Sequence, residues 1–327
     1  MMPPSAALST SVLSDDDVRV RQDARNDRLF RWSVAAAGIF VLVTLFAAAF
    51  SMFWGGREAF HTFGWGFLTS TEWDPVQRQF GALVAIYGTV MTALIAMIIA
   101  IPVSFGIALF LTEVAPPWLR TPVGAAIELL AGIPSIIYGM WGLFVLVPYL
   151  GEHVFPWLDE TLGQWPLIGP LFQGPPLGIG MLTAGLVLAI MVIPFISSVM
   201  REVFLTVPSR LKESAYALGS TTTEVVWNII LPYTRSAVIG GIFLGLGRAL
   251  GETMAVTFVL GNAMQLSASL LDPGTSIAST IANQFSEAAG LQKSALMALA
   301  FLLFVVTFIV LLIARLMLRR LASKEGR

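Results

Sequence analysis

The residues most able to do chemistry sit in an otherwise apolar run. Residues 240–256 read Gly-Gly-Ile-Phe-Leu-Gly-Leu-Gly-Arg-Ala-Leu-Gly-Glu-Thr-Met-Ala-Val. Arg248 falls about 18 Å into a span predicted to begin at residue 236, near the middle of a bilayer. Glu252 follows one helical turn later, so on an unbroken helix the two charges share a face. Placing either charge at that depth costs on the order of 2.5–3.5 kcal/mol, and such residues face a bundle interior or an aqueous path. A guanidinium offers planar paired donors suited to a tetrahedral oxyanion. A neighbouring carboxylate would hold it ready and keep anion binding weak, as a pathway needs. The competing reading is a structural ion pair that locks helix packing.

Three further residues are candidates for the same pathway. Glu128 lies near one end of the third apolar run, where it either lines an inner mouth or snorkels to the interface. Ser135 and Tyr138 adjoin Pro134 and either offer hydroxyls to an anion or bond to backbone. Gly241 with Gly245, and Gly247 with Gly251, are pairs of small residues that let another helix approach. No Ser-His-Asp, Cys-His or H-E-x-x-H arrangement occurs, and no P-loop pattern, so no catalytic residue is assigned. With no cysteine and only His61 and His153, no metal site is expected.

The elements that must position these residues are membrane helices. The 327 residues are 56% hydrophobic and 12% charged, which does not fit a soluble domain. Six spans are predicted at about 33–53, 82–112, 122–150, 178–204, 236–261 and 294–317, with Pro102, Pro134 and Pro194 expected to interrupt the second, third and fourth. Basic residues flank the first span (Arg25, Arg28, Arg31), the segment 201–235 (Arg201, Arg210, Lys212, Arg235) and the last span (Arg315, Arg319, Arg320, Lys324, Arg327), whereas loops 151–178 and 262–292 carry no Lys or Arg. Both termini and segment 201–235 are therefore expected on the cytoplasmic side. Residues 1–30 read as a disordered tail, 31–321 as the transmembrane domain with a cytoplasmic loop at 206–235, and 322–327 as a second tail. The net charge of −1 suggests no nucleic-acid partner, and the spans require surrounding membrane lipids.

Segment 213–232 is mostly polar in this apolar chain and describes two short helices at an angle. Pro208 suits a first helical turn. Gly219 can take positive φ and close the first helix. Thr221 with Glu224 forms a capping box that opens the second, and Pro232 is expected to end it. The segment resembles the EAA loop of the permease subunits of ABC importers. Glu213, Ala215, Gly219, Ile229, Leu231 and Pro232 fall at that pattern's spacings, with Ser214 in place of its first alanine. The resemblance implies an all-α polytopic protein with six transmembrane helices in the type I importer (MetI-like) fold. It also implies that this loop, Thr221 and Glu224 included, docks on a separate ATPase.

The resemblance narrows further. Gly-Arg-Ala-Leu-Gly-Glu-Thr-Met-Ala-Val at 247–256 is similar to a signature of phosphate permeases. So are Leu-Ala-Gly-Ile-Pro-Ser-Ile-Ile-Tyr-Gly at 130–139, Glu72-Trp73-Asp74-Pro75, Phe80-Gly81, Gly88-Thr89, Thr280-Ile281-Ala282-Asn283 and Glu287-Ala288. Gly261-Asn262 favours the C type of the two related permeases. Membership would imply inorganic phosphate as cargo and an A-type homologous permease as partner. It would also imply two cytoplasmic ABC ATPase subunits carrying ATP and Mg, a periplasmic or extracellular phosphate-binding protein, and a bacterial inner-membrane location. This chain would then carry no cofactor of its own. The rivals are a permease for sulfate or molybdate, the A-type permease itself, and a membrane scaffold or sensor that relays phosphate status.

Overall fold

The computed structural model describes the backbone of residues 15–325 and the side chains of residues 26–318. Among them, six helices are long and apolar enough to cross a membrane: Asn26–Phe63, Leu83–Val114, Ser135–Thr161, Met181–Leu205, Thr222–Leu250 and Gly290–Leu318. In chain order the elements are α1 (Asp15–Phe63), the short α2 (Gly66–Thr69), a two-stranded antiparallel hairpin of β1 (Trp73–Asp74) and β2 (Gln79–Phe80), and α3 (Leu83–Val114). There follow α4 (Pro117–Ala131), α5 (Ser135–Thr161), α6 (Met181–Leu205), α7 (Ser209–Ala217), α8 (Thr222–Leu250), α9 (Met254–Val259), α10 (Ile277–Gln284) and α11 (Gly290–Glu325).

Residues up to Ser51 form one unit and Met52 onward the other. The first is a single helix whose apolar side chains are exposed, with Arg31 paired to Asp27 one turn away. Residues 15–30 are helical, not the disordered tail that their polarity suggested. Residues 1–14 and 326–327 of the expected tails lie outside the described residues, and 322–325 continue α11.

In the second unit α6 is the most buried span. Small residues bring α3 against it: a side chain at Gly185 would collide with Ile95, and Ala93, Ala96, Ala100, Ala184 and Ala189 are buried around them. The Ser104 hydroxyl donates to the Ile193 carbonyl at 3.2 Å, tying the two helices. A second cluster joins Ala59, Phe67, Phe80, Ile277, Leu296 and Leu299, and Trp73 donates from Nε1 to Gln284 at 2.9 Å, pinning the hairpin to α10.

The prolines behave unequally. Pro134 breaks the chain between α4 and α5, but Pro102 and Pro194 lie inside continuous helices. In a tightly packed apolar setting a proline removes one hydrogen bond, while unravelling the helix would strand many more. The third span is consequently not 122–150: α4 is separate, and the spanning helix starts at Ser135 and runs to Thr161, into the expected loop 151–178. The fifth span stops at Leu250 rather than 261.

Candidate functional site

Arg248 sits in the last turn of α8, Gly251 caps that helix, and Glu252 and Thr253 are non-helical before α9. The break changes the expected relation between the two charges. Among the described residues Arg248 has no carboxylate at ion-pair distance. Its guanidinium is exposed and lies 5.6 Å from the centre of the Phe195 ring. Glu252 accepts instead from the Ala255 N–H at 3.2 Å, in the first turn of α9. Each charge thus meets the helix end that favours it, the cation at a C-terminus and the carboxylate at an N-terminus.

α5 crosses α9 closely, since a Cβ at Gly139 would lie 2.9 Å from the Ala255 Cα. This brings the turn that holds Ser135 and the Tyr138 hydroxyl to the broken segment. That hydroxyl donates to the Leu130 carbonyl at 2.9 Å, fastening α5 to the end of α4. Ser135 is the half-buried first residue of α5. Glu128 is drawn into a separate contact, with Arg201 at 3.3 Å. Gly241 and Gly245 face α6, where added side chains would meet Val199 and Ile196, whereas Gly247 faces Leu311 of α11.

The polar loop is built from local signals. Pro208 stands at the N-cap of α7 in extended conformation, just outside the first turn. Gly219 has φ +89°, and the Ser220 N–H returns to the Ala215 carbonyl at 3.1 Å, closing the helix. Thr221 and Glu224 form the reciprocal capping box: the Glu224 N–H donates to Thr221 Oγ1 at 3.3 Å, and the Thr221 N–H to Glu224 Oε2 at 2.8 Å. Ala215 is buried beside Val225, Val226 and Ile230, while Glu213 points outward. Ile229 and Leu231 are half-buried and Pro232 is exposed.

Pro232 does not end the helix. Residues Val226–Ile230 widen into a π-turn, and α8 continues through the proline as one helix of 29 residues. The wider turn accommodates the ring and the missing N–H that would disrupt a regular α-turn. Exposed apolar side chains at Tyr216, Leu218 and Trp227 were not anticipated as a surface, Leu218 being 88% exposed. Apolar types at polar loop positions were the available signal. The contact of Lys212 with Glu113 at 2.6 Å was also missed, and no sequence signal points to it. Among the described residues no group of three or more His, Cys, Asp or Glu could hold a metal.

Residues 100–323 match the family described as "Binding-protein-dependent transport system inner membrane component". The chain is 68% identical over 317 residues to "Phosphate transport system permease protein PstC" of Xylella fastidiosa, covering 97% of both chains. It is 54% identical over 317 residues to the protein of that name in Mesorhizobium japonicum, again covering 97% of each. Among solved structures, a chain of a bacterial ABC transporter that imports the acidic polysaccharide alginate superposes with a TM-score of 0.60 at 17% identity, covering 92% of this chain and 99% of that one. A second alginate transporter structure, in complex with an alginate-bound periplasmic protein, gives 0.59 at 20% identity, covering 92% and 98%. The fold is that of type I importer permeases, and the chain belongs to the binding-protein-dependent transport system inner membrane components, grouping within them with the phosphate transport permeases of the PstC type.

Proposed function

We propose that this chain is the C-type permease subunit of an ATP-driven phosphate importer, and that Arg248 is the cation phosphate passes in mid-membrane. One observation carries the pathway reading: the Arg248 guanidinium, in the last turn of an apolar span, is exposed and, among the described residues, has no carboxylate at ion-pair distance. Such a group is too costly to face lipid, so it faces a partner subunit or water. Ser135, Tyr138 and Glu252 serve the same pathway, and Glu128, held by Arg201, serves its inner mouth.

A homologous A-type permease supplies the other half of the pathway. Two cytoplasmic ATPases, which bind the ATP and Mg, dock on the loop at 206–235 through Glu213, Ala215, Gly219, Thr221, Glu224, Ile229, Leu231 and Pro232. An external phosphate-binding protein delivers the anion, and both termini are cytoplasmic. Closure of the ATPases moves the loop, and the bundle rocks to open the pathway to one side at a time.

The test is radiolabelled phosphate uptake in cells lacking this chain, with and without its restoration, and with sulfate uptake as control. Restoration of phosphate uptake alone is expected. Restored sulfate uptake would assign another oxyanion, and signalling without uptake would assign a sensor.

A further inference from the structure

Lys212 and Glu113 form the most enclosed ion pair among the described residues. Nζ donates to Oε1 at 2.6 Å, with the two side chains 16% and 7% exposed. Lys212 belongs to α7 of the polar loop, and Glu113 to the π-turn Phe110–Val114 that finishes α3. Exposed pairs hold geometry poorly. An enclosed pair is a fixed joint, because separating its partners leaves a charge buried without compensation.

The loop therefore has three connections to the membrane helices. Two are covalent, from α6 through residues 206–208 and through Val226–Ile230 into α8. The third runs through Lys212 to α3. Without it, α7 would be held chiefly by Ala215 and free to pivot between Pro208 and Gly219. α3 is packed along α6 by the Ile95–Gly185 contact and the Ser104–Ile193 hydrogen bond, so a displacement applied at Glu113 reaches the most buried span. On the α8 side, Trp227 lies 6.5 Å from Phe105 of α3, and Phe105 lies 5.7 Å from Phe204 of α6, so the same three helices also meet through rings.

We propose that Lys212 and Glu113 are positioning residues for transport: their ion pair makes α3 move with the ATPase-docking loop, so that the loop drives α3 in addition to the two spans it joins covalently. The inference rests on the permease function proposed above.

The experiment uses the whole complex, with both permeases and both ATPases, in proteoliposomes supplied with binding protein and radiolabelled phosphate. Phosphate uptake and ATP hydrolysis are measured together for Glu113→Gln, Lys212→Met, the two combined, and the exchange Glu113→Lys with Lys212→Glu. The combined neutral variant, which leaves no lone charge, is expected to co-purify with the ATPases and hydrolyse ATP. Its uptake per ATP is expected to fall about tenfold, a typical size for coupling between sites, and the exchanged pair should recover most of that ratio. A combined variant with the wild-type ratio overturns the proposal. So does one that no longer co-purifies with the ATPases, since the pair would then be a folding element. Absence of phosphate uptake by the unaltered complex would strike the functional reading instead.

Discussion

Glu113 and Lys212 lie 99 residues apart in sequence and meet at 2.6 Å, whereas Arg248 and Glu252 lie one helical turn apart and do not meet. Spacing of four residues brings charges together only on an unbroken helix. Here Gly251 ends α8 between them, and the break provides each charge with a helix terminus in place of the other. The distant pair has no such alternative. Its carboxylate is 7% exposed, and the facing ammonium is its only charged partner among the described residues. One couple is held together by burial, and the other is separated by a helix end, which leaves Arg248 with no carboxylate partner among the described residues.

Substitutions can break this contrast. The largest effect is expected at Arg248. Arg248→Gln should lower phosphate uptake about 100-fold, equivalent to about 2.7 kcal/mol, with thermal stability of the complex changed by less than about 0.5 kcal/mol, as for an exposed site. Loss of assembly would mean that the guanidinium is structural after all. Next comes a double-mutant cycle on Glu113 and Lys212, read by thermal unfolding of the purified complex. A coupling of about 1.5–3 kcal/mol is expected for a charged hydrogen bond, and a value near zero would remove the joint from the comparison. The smallest effects belong to Glu252. Glu252→Gln keeps an oxygen that can accept from Ala255 and should lower stability by about 0.5 kcal/mol, close to the loss of a weak cap. Its coupling to Arg248→Gln in the same assay should stay below about 0.5 kcal/mol, the limit for independent sites. A larger coupling would restore the ion pair that the sequence suggested.

Much of the polar loop at 206–235 was legible because its determinants are local. Gly219 needs only its own φ of +89°, and the Thr221–Glu224 box is closed within three residues. Six spans followed from apolar length alone. The boundaries that failed were decided by packing. The prolines carry the same local signal, yet Pro134 breaks a helix, Pro102 and Pro194 sit in interiors that hold theirs together, and Pro232 is absorbed by a π-turn. For the candidate site, residue types singled out Arg248 and Glu252 but not their relative orientation, because that depends on the break at Gly251. The contacts Lys212–Glu113 and Trp73–Gln284 join residues 99 and 211 positions apart, which no window on one sequence can connect.

The π-turn at Val226–Ile230 has a geometric consequence for the far end of its helix. A π-turn holds one residue more than the α-turn it replaces, so every later side chain is rotated about 100° around the axis relative to an uninterrupted α-helix. α8 runs on without another irregularity to Leu250, a helix of about 44 Å. The compass direction in which Arg248 leaves the axis is therefore indexed by the turn at the loop end. The exposed Trp227 at the loop end and Arg248 at the far end share one rotational phase along α8.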